Sequence, residues 1–155
     1  MMRKGDYVLC NFPFRETEGP APSLHTVLVS GTARVGTTPM VVVFYTTSQV
    51  GFPGGKRPRH LIHVDENRSR ELGQAKAFDT DVTRLALLPI TPDYFLEVVD
   101  GAVPNRGQDP HVAQVAERRL AELKAAVHEV ELTKRHAPSP GLKIWLRPVS
   151  PHGLS

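Results

Sequence analysis

The amino-acid sequence predicts a mainly β fold with added helices, an α+β domain, and three observations carry that reading. Short apolar runs, alternating with period two or rich in β-branched residues, recur up to about residue 90. Glycine- and proline-containing turns separate them. A stretch after residue 110 changes to the three-and-four spacing of an amphipathic helix. At 155 residues, with 40% hydrophobic and 23% charged residues, the chain fits one independently folding domain and neither a disordered nor a membrane-like polymer.

Gly5 to Phe14 anchors the pattern. Val8, Cys10 and Phe12 alternate there with Tyr7, Leu9 and Asn11, so the two faces of this strand meet different neighbours. Pro13 has no donor for a sheet ladder and ends the pairing, and a loop over roughly 14–23 follows. Leu24 to Val35 is the second strand, built on Val27-Leu28-Val29, with a bulge at Gly31 and a turn at Gly36. Met40 to Tyr45 is a strand buried on both faces and the centre of the core, and it ends abruptly in Thr46-Thr47-Ser48-Gln49. Gly51 to Arg59 is a loop by its glycines and prolines, and it carries Lys56, Arg57 and Arg59. His60 to Val64 alternates as a short strand, Asp65 to Leu72 reads as a short helix stopped at Gly73, and 82–88 reads as the last strand of the sheet.

Two helix starts follow. Thr91-Pro92 offers a capping hydroxyl and a proline at the first helical position, which predicts a short helix over about 92–100. Asp109-Pro110 repeats the signal. From there Val112, Val115, Ala116, Leu120, Leu123, Val127 and Val130 line one face of a helix over about 110–132, expected to lie on the sheet or on a partner. The domain is expected to span 1–135, with a proline-rich tail over 136–155 resting on the body through Trp145.

Charge narrows the function classes. Residues 1–60 hold seven Lys and Arg against three Asp and Glu, a net +4, and residues 61–155 hold twelve against thirteen, a net −1. A polyanion footprint therefore belongs in the strand-rich half, and an unevenly charged but idle surface is the alternative. No apolar run approaches the ~18 residues that cross a bilayer, and the start lacks the apolar core of a signal peptide, so the expectation is a cytoplasmic protein without a membrane partner. Cys10, the single cysteine, has no disulfide partner within the chain and reads as a buried small hydrophobe.

Gly5-Asp6-Tyr7-Val8-Leu9, then Phe12-Pro13-Phe14, a Pro/Gly-containing loop, a Val-Leu-Val strand and an apolar strand ending in Thr-Ser-Gln together resemble the PemK/MazF-like family of toxins from type II toxin–antitoxin modules. Asp81-Val82-Thr83-Arg84-Leu85-Ala86-Leu87-Leu88-Pro89 with Thr91 to Phe95 is similar to the family's closing strand and following helix. The resemblance covers about residues 3–100. It implies a small SH3-like barrel over about 3–90 and a metal-independent endoribonuclease that cleaves single-stranded RNA. It also implies a homodimer held inactive by a cognate antitoxin, with no cofactor.

Carried over residue by residue, the family's catalytic arginine before the Val-Leu-Val strand falls on His25, and the arginine's usual proline neighbour falls on Thr26; this is the main departure. The catalytic hydroxyl at the end of the third strand falls on Thr47, with Ser48 and Gln49 continuing the pattern. Cleaving RNA without metal needs a base for the 2′-hydroxyl, a proton for the leaving 5′-oxygen and donors for a charged transition state. His25 titrates near neutrality and suits proton transfer, but it lacks arginine's permanent bidentate charge. Thr47 and Ser48 offer hydrogen bonds to a phosphoryl oxygen, while Lys56, Arg57 and Arg59 offer charge to the backbone of RNA or DNA. His60 or His63 offers a second imidazole, and no further pair completes a metal site around them. Each residue also has a plain structural use: a surface histidine, hydroxyls that satisfy turn amides, a solvated basic loop. Two competing readings therefore stand beside the toxin: a catalytically impaired barrel that binds nucleic acid or protein, and a relative of the same barrel that acts on a topoisomerase.

Overall fold

The sheet runs in the order Tyr7–Cys10, His25–Val35, Thr38–Thr47, Phe78–Pro89, Leu61–Val64, antiparallel throughout, with Trp145–Pro148 added in parallel to Phe78–Pro89. The computed structural model describes residues 2–13, 24–48, 57–100, 102–134 and 145–148, with backbone only over 126–134 and 145–148. The expected loop over 14–23 and Lys56 lie outside the described residues. The strands are β1 (Tyr7–Cys10), β2 (His25–Val35), β3 (Thr38–Thr47), β4 (Leu61–Val64), β5 (Phe78–Pro89) and β6 (Trp145–Pro148); the helices are α1 (Glu66–Glu71) and α2 (Pro110–Lys134).

Alternation on β1 does what its pattern dictates. Val8, Cys10 and Phe12 enter one core layer with Val27, Val29, Val41, Val43, Ala86 and Leu88, while Tyr7 enters the opposite layer with Leu28, Phe44 and Val82. The first layer is closed by Met2, Tyr94, Phe95 and Val103, and the second by Ala113, Ala116 and Leu123 of α2. The sheet is therefore covered on both faces, which is why β3 is apolar on both. Asp109 caps α2, its Oδ1 accepting from the Val112 amide at 3.2 Å, and Glu117 ties the helix to the sheet through Lys4 Nζ at 2.9 Å and Ser30 Oγ at 3.2 Å. Gly5 lets β1 start directly under this helix end: it adopts φ +95, and a Cβ there would stand 2.7 Å from Pro110 Cα.

Gly31 marks a register shift in the β2–β3 ladder, and Asp65 caps α1 by accepting from the Arg68 amide. Other expectations change. The segment 92–100 is a run of turns and not a helix. Tyr94 and Phe95 donate their amides back to the Thr91 carbonyl, and Val99 then pairs with Ala102 instead of continuing a helical ladder. Adjacent Tyr94 and Phe95 are both buried in the same core layer, which a turn permits, and the Thr91 hydroxyl caps nothing, having no hydrogen-bond partner. Nor is 82–88 the last strand. β5 begins at Phe78, and Trp145–Pro148 in the expected tail pairs with Arg84–Leu87.

β5 also breaks its own alternation. Tyr45 of β3 pairs with Asp81, and the preceding Phe44 pairs with Leu85, so Val82, Thr83 and Arg84 bulge out of the ladder. The bulge is closed by hydrogen bonds to Asp81 Oδ1 from the Thr83 amide at 3.0 Å and the Thr83 hydroxyl at 2.6 Å. Beyond the bulge Arg84 shares the side of Ala86 and Leu88, its guanidinium over the Tyr45 ring that packs on the same layer, and its side chain is left partly open to solvent.

Candidate active site

Strand ends and the β5 bulge build the site. His25 opens β2 opposite Cys10, Tyr45 and Thr47 alternate onto one face at the end of β3, Ser48 follows, and His60 stands just before β4. These five line one cavity of about 390 Å³ with Asp81 and Arg84 from the bulge. Thr46, pointing the other way, holds the strand ends together by donating its hydroxyl to the Thr26 carbonyl at 2.5 Å.

Tyr45 is the centre of the arrangement. Its ring lies 5.4 Å from the His25 ring and 5.3 Å from Phe12, and the Arg84 guanidinium sits 5.5 Å from its centroid. The slab so formed gives both the imidazole and the cation a firm apolar backing. Arg84 is aimed by Asp81: with Oδ1 occupied by Thr83, Oδ2 is left 3.4 Å from Arg84 Nε. A guanidinium carries two terminal nitrogens that form a fork suited to phosphate. His60 is fixed from the same bulge, its carbonyl accepting from the Val82 amide at 2.9 Å.

Burial shapes the titrating groups. Desolvation lowers the His25 pKa from 6.5, leaving a neutral imidazole at neutral pH that is ready to take a proton. Desolvation is also the main reason the Tyr45 phenol is raised. Arg84 pulls it down, Asp81 pushes it up, and a hydrogen bond with Thr47 pulls it down again.

The structure thus gathers His25, Thr47, Ser48 and His60 and leaves Arg57 and Arg59 elsewhere. Arg57 Nε lies 2.9 Å from Asp79 Oδ1, and His63 Nδ1 lies 2.9 Å from the same oxygen of this fully buried carboxylate. Arg59 pairs with Glu122 of α2 at 2.7 Å, and its carbonyl accepts from Arg119. Both arginines fasten the 57–63 segment to the body. Tyr45, Asp81 and Arg84 were not singled out from the sequence, although an arginine in a run as apolar as 82–88 is a visible anomaly. Among the described residues, no three His, Cys, Asp or Glu side chains converge on a possible metal position, and no helix is long and apolar enough to cross a membrane. Compared with known proteins, the chain matches no protein-family model and no curated protein.

Proposed function

We propose that the protein is a PemK/MazF-like endoribonuclease that cleaves single-stranded RNA through His25, with Arg84 supplying the permanent cation that position 25 lacks. The observation that carries this reading is the cavity in which a desolvated imidazole, a backed guanidinium and the Thr47 and Ser48 hydroxyls stand together. Neutral His25 accepts the proton of the 2′-hydroxyl, and the 2′-oxygen attacks the adjacent phosphorus. The 5′-oxygen leaves with a proton from His60, so the products are a 2′,3′-cyclic phosphate and a 5′-hydroxyl, with no water consumed. Arg84, Thr47 and Ser48 donate to the non-bridging oxygens as charge builds there. In this reading the curved sheet is an SH3-like barrel with one side open, and the family's partners, a second copy of the chain and a cognate antitoxin, come with it.

The test is incubation with a long, lightly structured RNA in EDTA, comparing wild type with His25→Ala and Thr47→Ala and mapping the ends. Discrete cuts ending in 2′,3′-cyclic phosphate, lost in both variants, are expected. RNA left intact at high protein concentration, or cut equally by the variants, overturns the reading in favour of a barrel that binds without cleaving.

A further inference from the structure

A second cavity, of about 270 Å³, adjoins the first and shares His25, Thr46 and Ser48 with it. Its remaining wall comes from Leu24, Thr26, Gln74, Lys76 and Phe78. Side-chain alternation puts Thr26 and Thr46 on the face opposite His25 and Tyr45, so the two cavities meet across the ends of β2 and β3 with His25 on the rim between them. A chain laid across that rim places one residue in each.

The second cavity has the make-up of a pocket for one flat, polar-edged ring. At this volume it falls just below the ~300–1,000 Å³ typical of drug-sized ligands. Phe78 forms an apolar floor, itself held edge-on to Tyr7 at 5.5 Å, and Leu24 stands at the mouth with 40% of its surface exposed, an apolar area that a base would cover. Thr26 Oγ1 donates to Gln74 Oε1 at 3.1 Å, and the Gln74 amide nitrogen is a donor. Lys76 makes no ion pair among the described residues.

This wall is rigid before any ligand arrives. The Gln74 backbone amide donates to the Ser69 carbonyl at 2.9 Å, and the Ser69 hydroxyl donates to the Lys76 carbonyl at 2.5 Å. Gly73, at φ +77, passes so close to the Arg106 carbonyl that a Cβ would stand 2.5 Å from its oxygen. With the backbone held this way and the side chain held by Thr26, the Gln74 donor is preorganised for its ligand.

We infer that this cavity is a nucleobase subsite for the nucleotide next to the scissile phosphate: Gln74 donates to an acceptor on the base edge, and Lys76 neutralises the flanking phosphate. The identity of the ligand as single-stranded RNA rests on the ribonuclease reading above. Every base offers that donor an acceptor, a carbonyl oxygen on uracil, cytosine and guanine and a ring nitrogen on adenine, so the subsite distinguishes a nucleotide that carries a base from one that does not.

The experiment measures binding of short RNAs made uncleavable by 2′-O-methylation and varied at one position, to wild type, Gln74→Ala, Gln74→Glu and Lys76→Ala, alongside cleavage mapping on a long RNA. Wild type is expected to bind the series carrying a base at that position roughly tenfold tighter than an abasic one. Gln74→Ala and Gln74→Glu, the latter keeping the acceptor for Thr26, both lack the donor and both cut that preference. Lys76→Ala weakens every sequence alike and lowers the salt slope by about 0.7. No binding, no base preference, or a preference that survives in both Gln74 variants overturns the subsite. If RNA is still cut at specific places in that case, the ribonuclease reading stands alone; if a Gln74-dependent preference exists while RNA stays intact, the subsite stands and the cleavage chemistry falls.

Discussion

Arg84→Ala separates catalysis from stability more sharply than any other change at the site. The side chain is 47% exposed and, among the described residues, meets Asp81 at 3.4 Å and the Tyr45 ring at 5.5 Å. An ion pair this open to solvent contributes ~0–1 kcal/mol, and a cation–π contact at an exposed position contributes ~0.5–1 kcal/mol. The variant therefore loses about 1 kcal/mol, which lowers Tm by ~2–4 °C in a domain of this size. The effect on cleavage is much larger. Removing one preorganised donor to a developing oxyanion costs ~100–1,000-fold in rate, and the exposure of Arg84 places the expected loss near the lower figure, about 100-fold. The assay is initial cleavage rate on a single-site RNA together with a salt titration of binding, where loss of one phosphate contact to a single strand lowers the log–log slope by about 0.7. Arg84→Lys, which keeps the charge without the fork, should recover part of the rate. Cleavage within threefold of wild type and an unchanged salt slope would refute the assignment of the cation to Arg84.

Further predictions follow the same reasoning. Because burial holds the His25 pKa below 6.5, the acid limb of kcat/KM should lie below that pH, with full activity at neutrality; a limb above pH 7 would exclude neutral His25 as the base. The stability contribution has the matching sign: the unfolded chain binds the proton more readily, so stability falls as pH drops from 6.5 through the lower folded value, and His25→Ala should flatten that part of a urea-midpoint-versus-pH curve. Asp79→Ala strips Arg57 and His63 of a fully buried counter-charge and should cost ~3 kcal/mol in denaturant unfolding, the low end for breaking a buried pair because Arg57 keeps 21% of its surface; a loss under 1 kcal/mol would mean the pair does not fasten the segment. Gly107→Ala puts a Cβ 2.5 Å from the Leu72 carbonyl oxygen at φ +151, so it should destabilise by more than the ~1 kcal/mol of a simple glycine replacement, with thermal unfolding as the readout.

Local physics made much of this fold legible in the sequence. Alternation on Tyr7–Phe12, the β-branched runs of β2 and β3, the Gly31 bulge and the Asp109-Pro110 start of α2 are all set by residues within a few positions of each other. What escaped is set by distant partners. Val82 to Leu88 alternates on paper, yet the ladder skips three residues because Asp81 closes a bulge through Thr83, and no periodicity reports which register a neighbouring strand will choose. The Thr91-Pro92 start is a sound helix signal in isolation, but burying both Tyr94 and Phe95 in one core layer outweighs it. The site divides in the same way. His25, Thr47, Ser48 and His60 were found by position along the chain, whereas Arg84 meets them only where β5 pairs with β3, and Arg57 and Arg59 were committed to Asp79 and Glu122 by contacts that composition does not encode.

Cys10 offers a direct experimental handle on all of this. It is the only thiol in the chain, fully buried on β1, its pKa pushed up by that burial, and it is the register partner of His25. A thiol reagent therefore reacts only when β1 and β2 part, and the labelling rate reports the population of that opening in the native protein. For ordinary domain stabilities the protection amounts to ~10³–10⁸ if the opening is global, and less if the β1–β2 edge opens alone. A molecule that closes over His25 favours the paired state and slows labelling by the factor 1 + [L]/Kd. One unmodified side chain thus serves as a clock for unfolding and as an occupancy meter for the neighbouring cavity, and it reads binding whether or not any bond is cut.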